Sequence, residues 1–465
     1  MTTWHPDIEH RSGPRYLALA EALSDDIAAG RLSAGERLPT HRNLAWHLGV
    51  TVGTVSRAYA EAERRGLTSG EVGRGTYVRG ATAALNHVLS NSEQDDQDTI
   101  HMNFAFPPPG CEAQYIPEIL TAMAGDPNVA AHFSYQPQAG SMRHRAAGTR
   151  WIAQSGLPQV EPERTVLTAG AHHGMTVALA ATTRPGDRIV TEALSYPGIQ
   201  AISRVLGLRL EGLPLDKGGI IPEAFEAACR GNDIKALYCV PNCQNPTTIT
   251  MSTARREALA QIARKYGVAV VEDDVFGRFM EAPPPPITSF LPELGYYVTS
   301  LTKSVAPGLR VGYVAGPKTA TDRLTGAIRA TCWMASPLTA EIAARWIESG
   351  VAEEILKSRR REGRIRRMIA LEILSEWELD CAEDSTFAWL HLPDPWRTSD
   401  FAAAAAQRGV VVTSSDAFAV GRRETPHAVR VCFGQPPTRQ MLRTGLEALT
   451  QILRGEASDY YQAVV

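Results

Sequence analysis

Nothing in the 465 residues approaches the length of a membrane-spanning apolar run, and the opening Met1-Thr-Thr-Trp-His-Pro-Asp7 lacks the charged and apolar regions of a secretory signal. A cytoplasmic protein with no membrane partner is the expectation. Strong net charge is missing too: 47 basic against 50 acidic residues give −3, so the chain has no general attraction for nucleic acid or an anionic membrane. Any such partner must be argued from local pattern. The seven cysteines are odd in number and scattered, and Cys239 and Cys243, the nearest pair, have no second pair to complete a zinc site. Buried or idle thiols and no metal are expected. There is no internal repeat. What is present, 44% hydrophobic and 21% charged residues, is the composition of a globular chain at a length that suggests two or three domains.

The first eighty residues differ from the rest. Tyr16 to Gly30 carries apolar residues at helical spacing and stops on glycine. After the turn Ser33-Ala-Gly-Glu-Arg-Leu-Pro39, Thr40 can cap a short helix through Leu48, which Gly49 ends. Thr51 can cap a third helix with Val52, Val55, Tyr59 and Ala62 on one face, closed by Gly66 and leaving Thr54, Ser56, Arg57, Arg64 and Arg65 elsewhere. Leu67 to Val78 then alternates with glycines, as a small hairpin does. Two short helices joined by a glycine-containing turn form a helix-turn-helix able to enter the DNA major groove. Leu38-Pro-Thr-His-Arg-Asn-Leu-Ala45, Gly49-Val-Thr-Val-Gly-Thr-Val-Ser-Arg-Ala-Tyr59 and Gly73-Arg-Gly-Thr-Tyr-Val78 resemble the GntR-type winged helix throughout its length. That resemblance implies that Arg42, Thr51, Thr54 and Ser56 contact double-stranded DNA, with Arg74 and Gly75 at the wing tip. Many GntR members have arginine where this chain has Val52, so base preference does not carry over. Ten arginines face nine acids in residues 1–80, so binding depends on arginines gathered on one face and on dimerisation. The alternative is a three-helix unit for protein contacts.

Residues 81–100 form a polar, acidic stretch, Asn86 to Asp98 above all, that reads as a linker. From about His101 strand-like and helix-like segments alternate, which predicts an α/β fold with a mainly parallel sheet. Strands are expected at 165–168, 188–191, 236–240, 268–272, 297–300 and 311–315, with helices such as Thr253 to Lys265 between them. Ligands of such sheets collect at the carboxyl ends of the strands.

Ser300-Leu-Thr-Lys303-Ser-Val-Ala-Pro307-Gly-Leu-Arg310-Val-Gly-Tyr313 follows one of these strands, with Ser300 and Arg310 flanking a single lysine. Arg310 is a permanent cation, able both to lower the amine's pKa and to pair with a phosphate. Ala169-Gly-Ala-His-His-Gly174 opens a helix whose free N–H groups suit a phosphate. Glu192-Ala-Leu-Ser-Tyr196-Pro, Gln244-Asn245-Pro-Thr and Glu272-Asp273-Asp274 follow other strands, and Ala428-Val-Arg430-Val-Cys-Phe433 lies late in the chain. Together these blocks resemble the fold-type I aminotransferases, which take pyridoxal 5′-phosphate (PLP). The resemblance implies Lys303 as the Schiff-base lysine and Gly170, Ala171 and His172 in the phosphate cup with Ser300 and Arg310. It implies Tyr196 stacking on the pyridine, Asn245 at the phenolate oxygen, Asp273 at the pyridinium nitrogen and Arg430 on an α-carboxylate. Tyr135 is expected to reach the phosphate of a neighbouring subunit. Taken singly, Tyr196 suits a core tyrosine and Arg430 a structural ion pair. The chain departs from the family at Phe276, where aminotransferases usually have a tyrosine that donates to the phenolate oxygen.

A GntR winged helix at 1–80, a linker at 81–100 and an aminotransferase-like domain at 101–465, with a small α+β lobe from about 335, resemble the MocR subfamily of bacterial regulators. The resemblance implies a homodimeric, PLP-dependent transcription factor that senses PLP or an amino-acid-like amine through an aldimine at Lys303. The rival expectation is a working aminotransferase with an accessory DNA-binding domain.

Overall fold

Three helices and a hairpin build the N-terminal unit, and the caps explain their limits. Helix α1 spans Arg15–Ala28, α2 His41–His47 and α3 Val52–Arg64. Thr40 accepts the Asn43 N–H at 3.3 Å to start α2, and Thr51 accepts the Thr54 N–H at 3.1 Å to start α3. Leu19 and Leu23 from α1, Leu44 from α2, and Val55, Ala58, Tyr59 and Ala62 from α3 make one buried core with Val78. Val52, expected on that inner face, is 45% exposed. It is the first residue of α3, where the helix has not yet turned onto the core. Strands Thr68–Glu71 and Gly75–Val78 pair antiparallel as the wing. The computed structural model describes residues 4, 6, 8, 14–28, 31–32, 36–64, 67–71, 75–78, 99–157, 160–421 and 425–455. Gly30, the start of the turn at 33–35, Arg65, Gly66, Gly73, Arg74 and the linker from 81 to 98 lie outside them. The chain divides into two units, residues 1–95 and 96–465.

The second unit is organised on a seven-stranded sheet in the order 165–168, 312–315, 295–300, 269–273, 234–239, 188–192 and 209–213. Only the strand Gly312–Ala315 runs against the rest. Helices cover both faces, so the strands Ala269–Asp273 and Gly295–Ser300 in the middle of the sheet, and Thr165–Thr168 at one end, are buried on both faces instead of alternating. The parallel strands end on one edge, which brings the loops after Thr168, Glu192, Cys239, Asp273 and Ser300 together. Among the described residues no helix is long and apolar enough to cross a membrane.

Close packing fixes one helix against this sheet. A Cβ on Gly148, in the helix Met142–Ala153, would lie 2.4 Å from the Tyr313 ring. Gly148→Ala is therefore expected to destabilise the unit by about 1–3 kcal/mol, the scale of overpacking, seen as a lower urea midpoint at unchanged slope.

The C-terminal lobe holds a four-stranded antiparallel sheet in the order 379–380, 387–391, 428–432 and 413–414. Its core joins Phe401, Leu442, Leu446 and Leu449 to Ile100 and Met102. The strand Ile100–His101 pairs in parallel with Val410–Val411. The lobe thus draws in the stretch just after the linker, and it starts later than residue 335. The helix Pro337–Ser349 instead packs Ala340, Ala343 and Trp346 with Trp151 and Leu167 of the larger lobe.

Candidate functional site

The loops at the carboxyl edge of the sheet bring most of the expected residues together. Gly170 has φ +83° and caps the helix Ala171–Thr182, and a Cβ there would fall 2.8 Å from Arg310 Nη2. Arg310 itself sits in the left-handed region at φ 51° and donates to Ala169 O at 3.4 Å. A glycine is needed for both the turn and the approach of the guanidinium. Among the described residues the buried Ser300 Oγ has no partner. His172 meets Tyr196, Nδ1 to OH at 3.4 Å, with the two rings edge to face. These groups leave backbone N–H, a hydroxyl and a guanidinium converging where an anion fits.

Lys303 Nζ donates to Ala105 O at 2.6 Å and lies 5.9 Å from the centre of the Phe106 ring. Burial, then the Arg430 charge, pull this amine down to about 8. At neutral pH about a tenth of it is then unprotonated and nucleophilic. Asp273 is buried, and its carboxyl is pushed up to about 7 by burial against the opposing hydrogen bond from Tyr238. Its Oδ2 accepts from Tyr238 OH at 2.7 Å, while Oδ1 has no partner among the described residues. Asp274 is occupied otherwise, accepting from Asn242, Tyr297 and the Gly277 N–H. Of the adjacent pair, Asp273 alone keeps a free oxygen.

Asn245 turns its Oδ1 to Arg430 Nη1 at 2.6 Å, which leaves its amide N–H2 as the group available to a phenolate. Arg430 also donates to Asn103 O, keeps Nε without a partner, and lies 4.8 Å from the Phe418 ring centre and 5.8 Å from that of Phe387. Among the described residues it makes no ion pair to an internal acid, unlike the structural alternative. Phe276 packs edge-on against Phe387 at 5.4 Å and brings no hydroxyl. Tyr135 is not brought to this site: it is 83% exposed and stands edge-on to Trp333.

Several contributors escape sequence reading. Asn103, Ala105 and Phe106 come from the segment after the linker, and Phe387 and Phe418 from the C-terminal lobe, none with a motif of its own. Glu192 does have a signal, an acid inside an apolar strand. It accepts from Thr191, Ser195 and the Val240 N–H and so ties the Tyr196 loop to the Asn245 loop. His173 accepts the Ala169 N–H at 3.1 Å and pairs with Thr331 at 2.7 Å, fixing the glycine turn. Elsewhere His132, His144 and Glu341 bring donor atoms within 4.8 Å of one another. The Glu341 carboxylate is already held by Arg143, Arg345 and His144, so a cation would have to displace two guanidinium groups.

On the N-terminal unit, Arg42, Thr51, Val52 and Arg57 are exposed. Thr51 and Thr54 bond each other at 2.9 Å, and Ser56 turns back to His41 Nδ1 at 3.1 Å. The expected polar contacts thus divide into outward groups and hydroxyls that shape the helix start. Gly75 begins the second wing strand.

Residues 15–78 match the family of bacterial regulatory proteins, gntR family, and residues 117–449 match aminotransferase class I and II. The uncharacterized HTH-type transcriptional regulator YdeF of Bacillus subtilis (strain 168) is 32% identical over 453 residues, 97% of each chain. The HTH-type pyridoxine biosynthesis transcriptional regulator PdxR of Corynebacterium glutamicum is 27% identical over 368 residues, 77% of this chain and 78% of that one. Among solved structures, an archaeal alanine:glyoxylate aminotransferase superposes with a TM-score of 0.73 at 21% identity, over 86% of this chain and 99% of its own, a likeness of fold. Winged helix and aminotransferase domain occur in one polypeptide that aligns almost end to end with a transcriptional regulator, and the chain therefore belongs to the MocR-type fusion of a GntR helix-turn-helix with a class I and II aminotransferase domain.

Proposed function

We propose that this PLP-binding regulator of the MocR type senses an amino-acid-like amine at the Lys303–Arg430 site and passes the result to its DNA-binding unit. The observation that carries the proposal is the set of buried groups left unsatisfied around one lysine: Asp273 Oδ1, Ser300 Oγ and Arg430 Nε. A buried polar atom without a partner is costly, and each of these is the type that the cofactor or an α-carboxylate would satisfy. When bound, PLP supplies an aldehyde that a primary amine captures and a ring that withdraws electrons. Lys303 would hold it covalently, and Gly170, Ala171, His172, Ser300 and Arg310 would hold its phosphate. Tyr196 would cover the ring, Asp273 would face its nitrogen and the Asn245 amide its phenolate oxygen. Arg430 would take the effector's carboxylate as a two-pronged pair. An effector shifts the protein only by its differential affinity for two arrangements, and Lys303 and Arg430 lie on different lobes, so a ligand held by both favours one arrangement of the lobes.

A second copy of the chain is part of this proposal. The exposed Phe133, Tyr135 and Trp333 are large apolar groups suited to a homodimer interface, and Tyr135 from one protomer would then complete its partner's phosphate site. A working aminotransferase is the second reading, favoured by the presence of Lys303, Asp273, Asn245 and Arg430 in one site. Phe276 counts against it, since it removes the donor that tunes the cofactor.

The test is a gel shift on the DNA upstream of the protein's own gene, at fixed salt, with and without PLP and against unrelated competitor. Specific binding that PLP changes is expected; equal affinity for competitor in both states would remove the regulatory reading, and sustained 2-oxo acid production would install the enzymatic one. Arg42→Ala is expected to weaken binding evenly across sequences and to lower the slope of log affinity against log salt by about 1, as loss of a phosphate contact does.

A further inference from the structure

We propose that Tyr238 is a positioning residue for the cofactor ring: its hydroxyl holds one oxygen of the Asp273 carboxylate so that the other faces the ring nitrogen of PLP. The inference rests on the cofactor reading above. Tyr238 lies on the strand Ile234–Cys239, beside the strand Ala269–Asp273, and in the register of the two it stands opposite Val271. Residues two apart on a strand share a face, so the tyrosine and Asp273 project to the same side, and the length of the ring carries the hydroxyl along to the carboxylate. The contact is 2.7 Å, to Oδ2. Oδ1 is left buried and unpartnered.

A core tyrosine that merely found the nearest acceptor is the simpler account. Tyr238 is fully buried in the core cluster that also holds Val240, Val271 and Met175, where phenylalanine would fill nearly the same volume without a hydroxyl to desolvate. The acceptor is the one carboxylate of the adjacent Asp273–Asp274 pair with an oxygen to spare. Burial raises the Tyr238 phenol well above its ordinary pKa, so the hydroxyl keeps the proton that it donates to Asp273 Oδ2. A donor fixed on Oδ2 does two things. It orients the carboxylate, and it favours the charged form that an electron-withdrawing pyridinium requires.

The experiment uses full-length protein in four forms, wild type, Tyr238→Phe, Asp273→Asn and the double variant, each titrated with PLP and followed by the absorbance of the bound cofactor. Tyr238→Phe is expected to weaken PLP binding about tenfold, the scale of one hydrogen bond to a charged group, and to move the absorbance maximum in the direction that Asp273→Asn moves it. In the Asp273→Asn background the same change should add less than about a twofold loss, because the charge it serves is gone. Unloaded Tyr238→Phe should give the far-ultraviolet circular dichroism of the wild type and unfold cooperatively well above the assay temperature, which separates the effect from misfolding. An unchanged affinity and spectrum in Tyr238→Phe, or an equal loss in both backgrounds, overturns the proposal in favour of simple packing. A wild type that takes up no PLP overturns the cofactor reading itself and this inference with it.

Discussion

Lys303→Ala is expected to abolish covalent attachment of PLP entirely. Borohydride treatment of loaded wild type should leave a cofactor-bearing peptide containing residue 303, and the variant should leave none. Its DNA affinity should also stop responding to PLP. The surroundings of the amine add a pH signature: with Lys303 lowered to about 8 by burial and by Arg430, the neutral, nucleophilic fraction grows as pH rises and levels off above that value. Loading of the wild type should therefore speed up between about pH 6.5 and 8.5 and flatten beyond. A Lys303→Ala protein that still answers PLP on DNA would mean that the switch needs only non-covalent binding. A loading rate flat across that range would contradict the depressed amine.

Arg430→Ala should have the second large effect, a loss of amino-acid binding on the order of 100-fold or more. Removing one partner of a buried, hydrogen-bonded charge pair costs about 2–5 kcal/mol, and here the guanidinium also holds Asn245 and Asn103 O. The measurement is a titration of loaded protein with a panel of L-amino acids and with simple primary amines that lack a carboxylate. Loss confined to the amino acids supports the carboxylate role. Arg430→Lys should rescue poorly, because an ammonium offers a point charge where the site is built for a planar fork against two aromatic faces. Equal weakening of amines and amino acids would assign Arg430 to holding the Asn245 loop instead.

Much of the fold was legible because the relevant signals are local. The caps at Thr40 and Thr51, the glycine stop at Gly49 and the apolar strands of the sheet depend on neighbours within a few residues. The strand Arg209–Leu213 was missed: it is one of the sheet's two edges, mostly half-buried, and its sequence, with Glu211 and Gly212 inside it, lacks an apolar run. Val52 was misplaced because periodicity counts every helical position alike, whereas the first turn of α3 has yet to meet the core. The motif residues that converge at the carboxyl edge of the sheet lie just after strands, where the sequence marks them. What could not be read are roles set by long-range packing, such as the Ala105 carbonyl beside Lys303 or Tyr238 under Asp273, since nothing adjacent in sequence marks them. Tyr135 had a motif, but within one chain it is exposed and stands against Trp333, away from the other motif residues.

The strand Ile100–His101, completed by Val410–Val411 and covered by the helix Arg439–Arg454, bears on how the protein is made. During synthesis the seven-stranded sheet has all its strands once residue 315 has emerged. The lobe that encloses Ile100 and Met102 must wait for Leu442, Leu446 and Leu449, nearly the end of the chain. Contacts of such long sequence separation form late. On the ribosome, therefore, the sheet precedes the lobe, and Arg430, on that lobe, reaches its place beside Asn245 and Asn103 only after the sheet that carries Lys303 is complete.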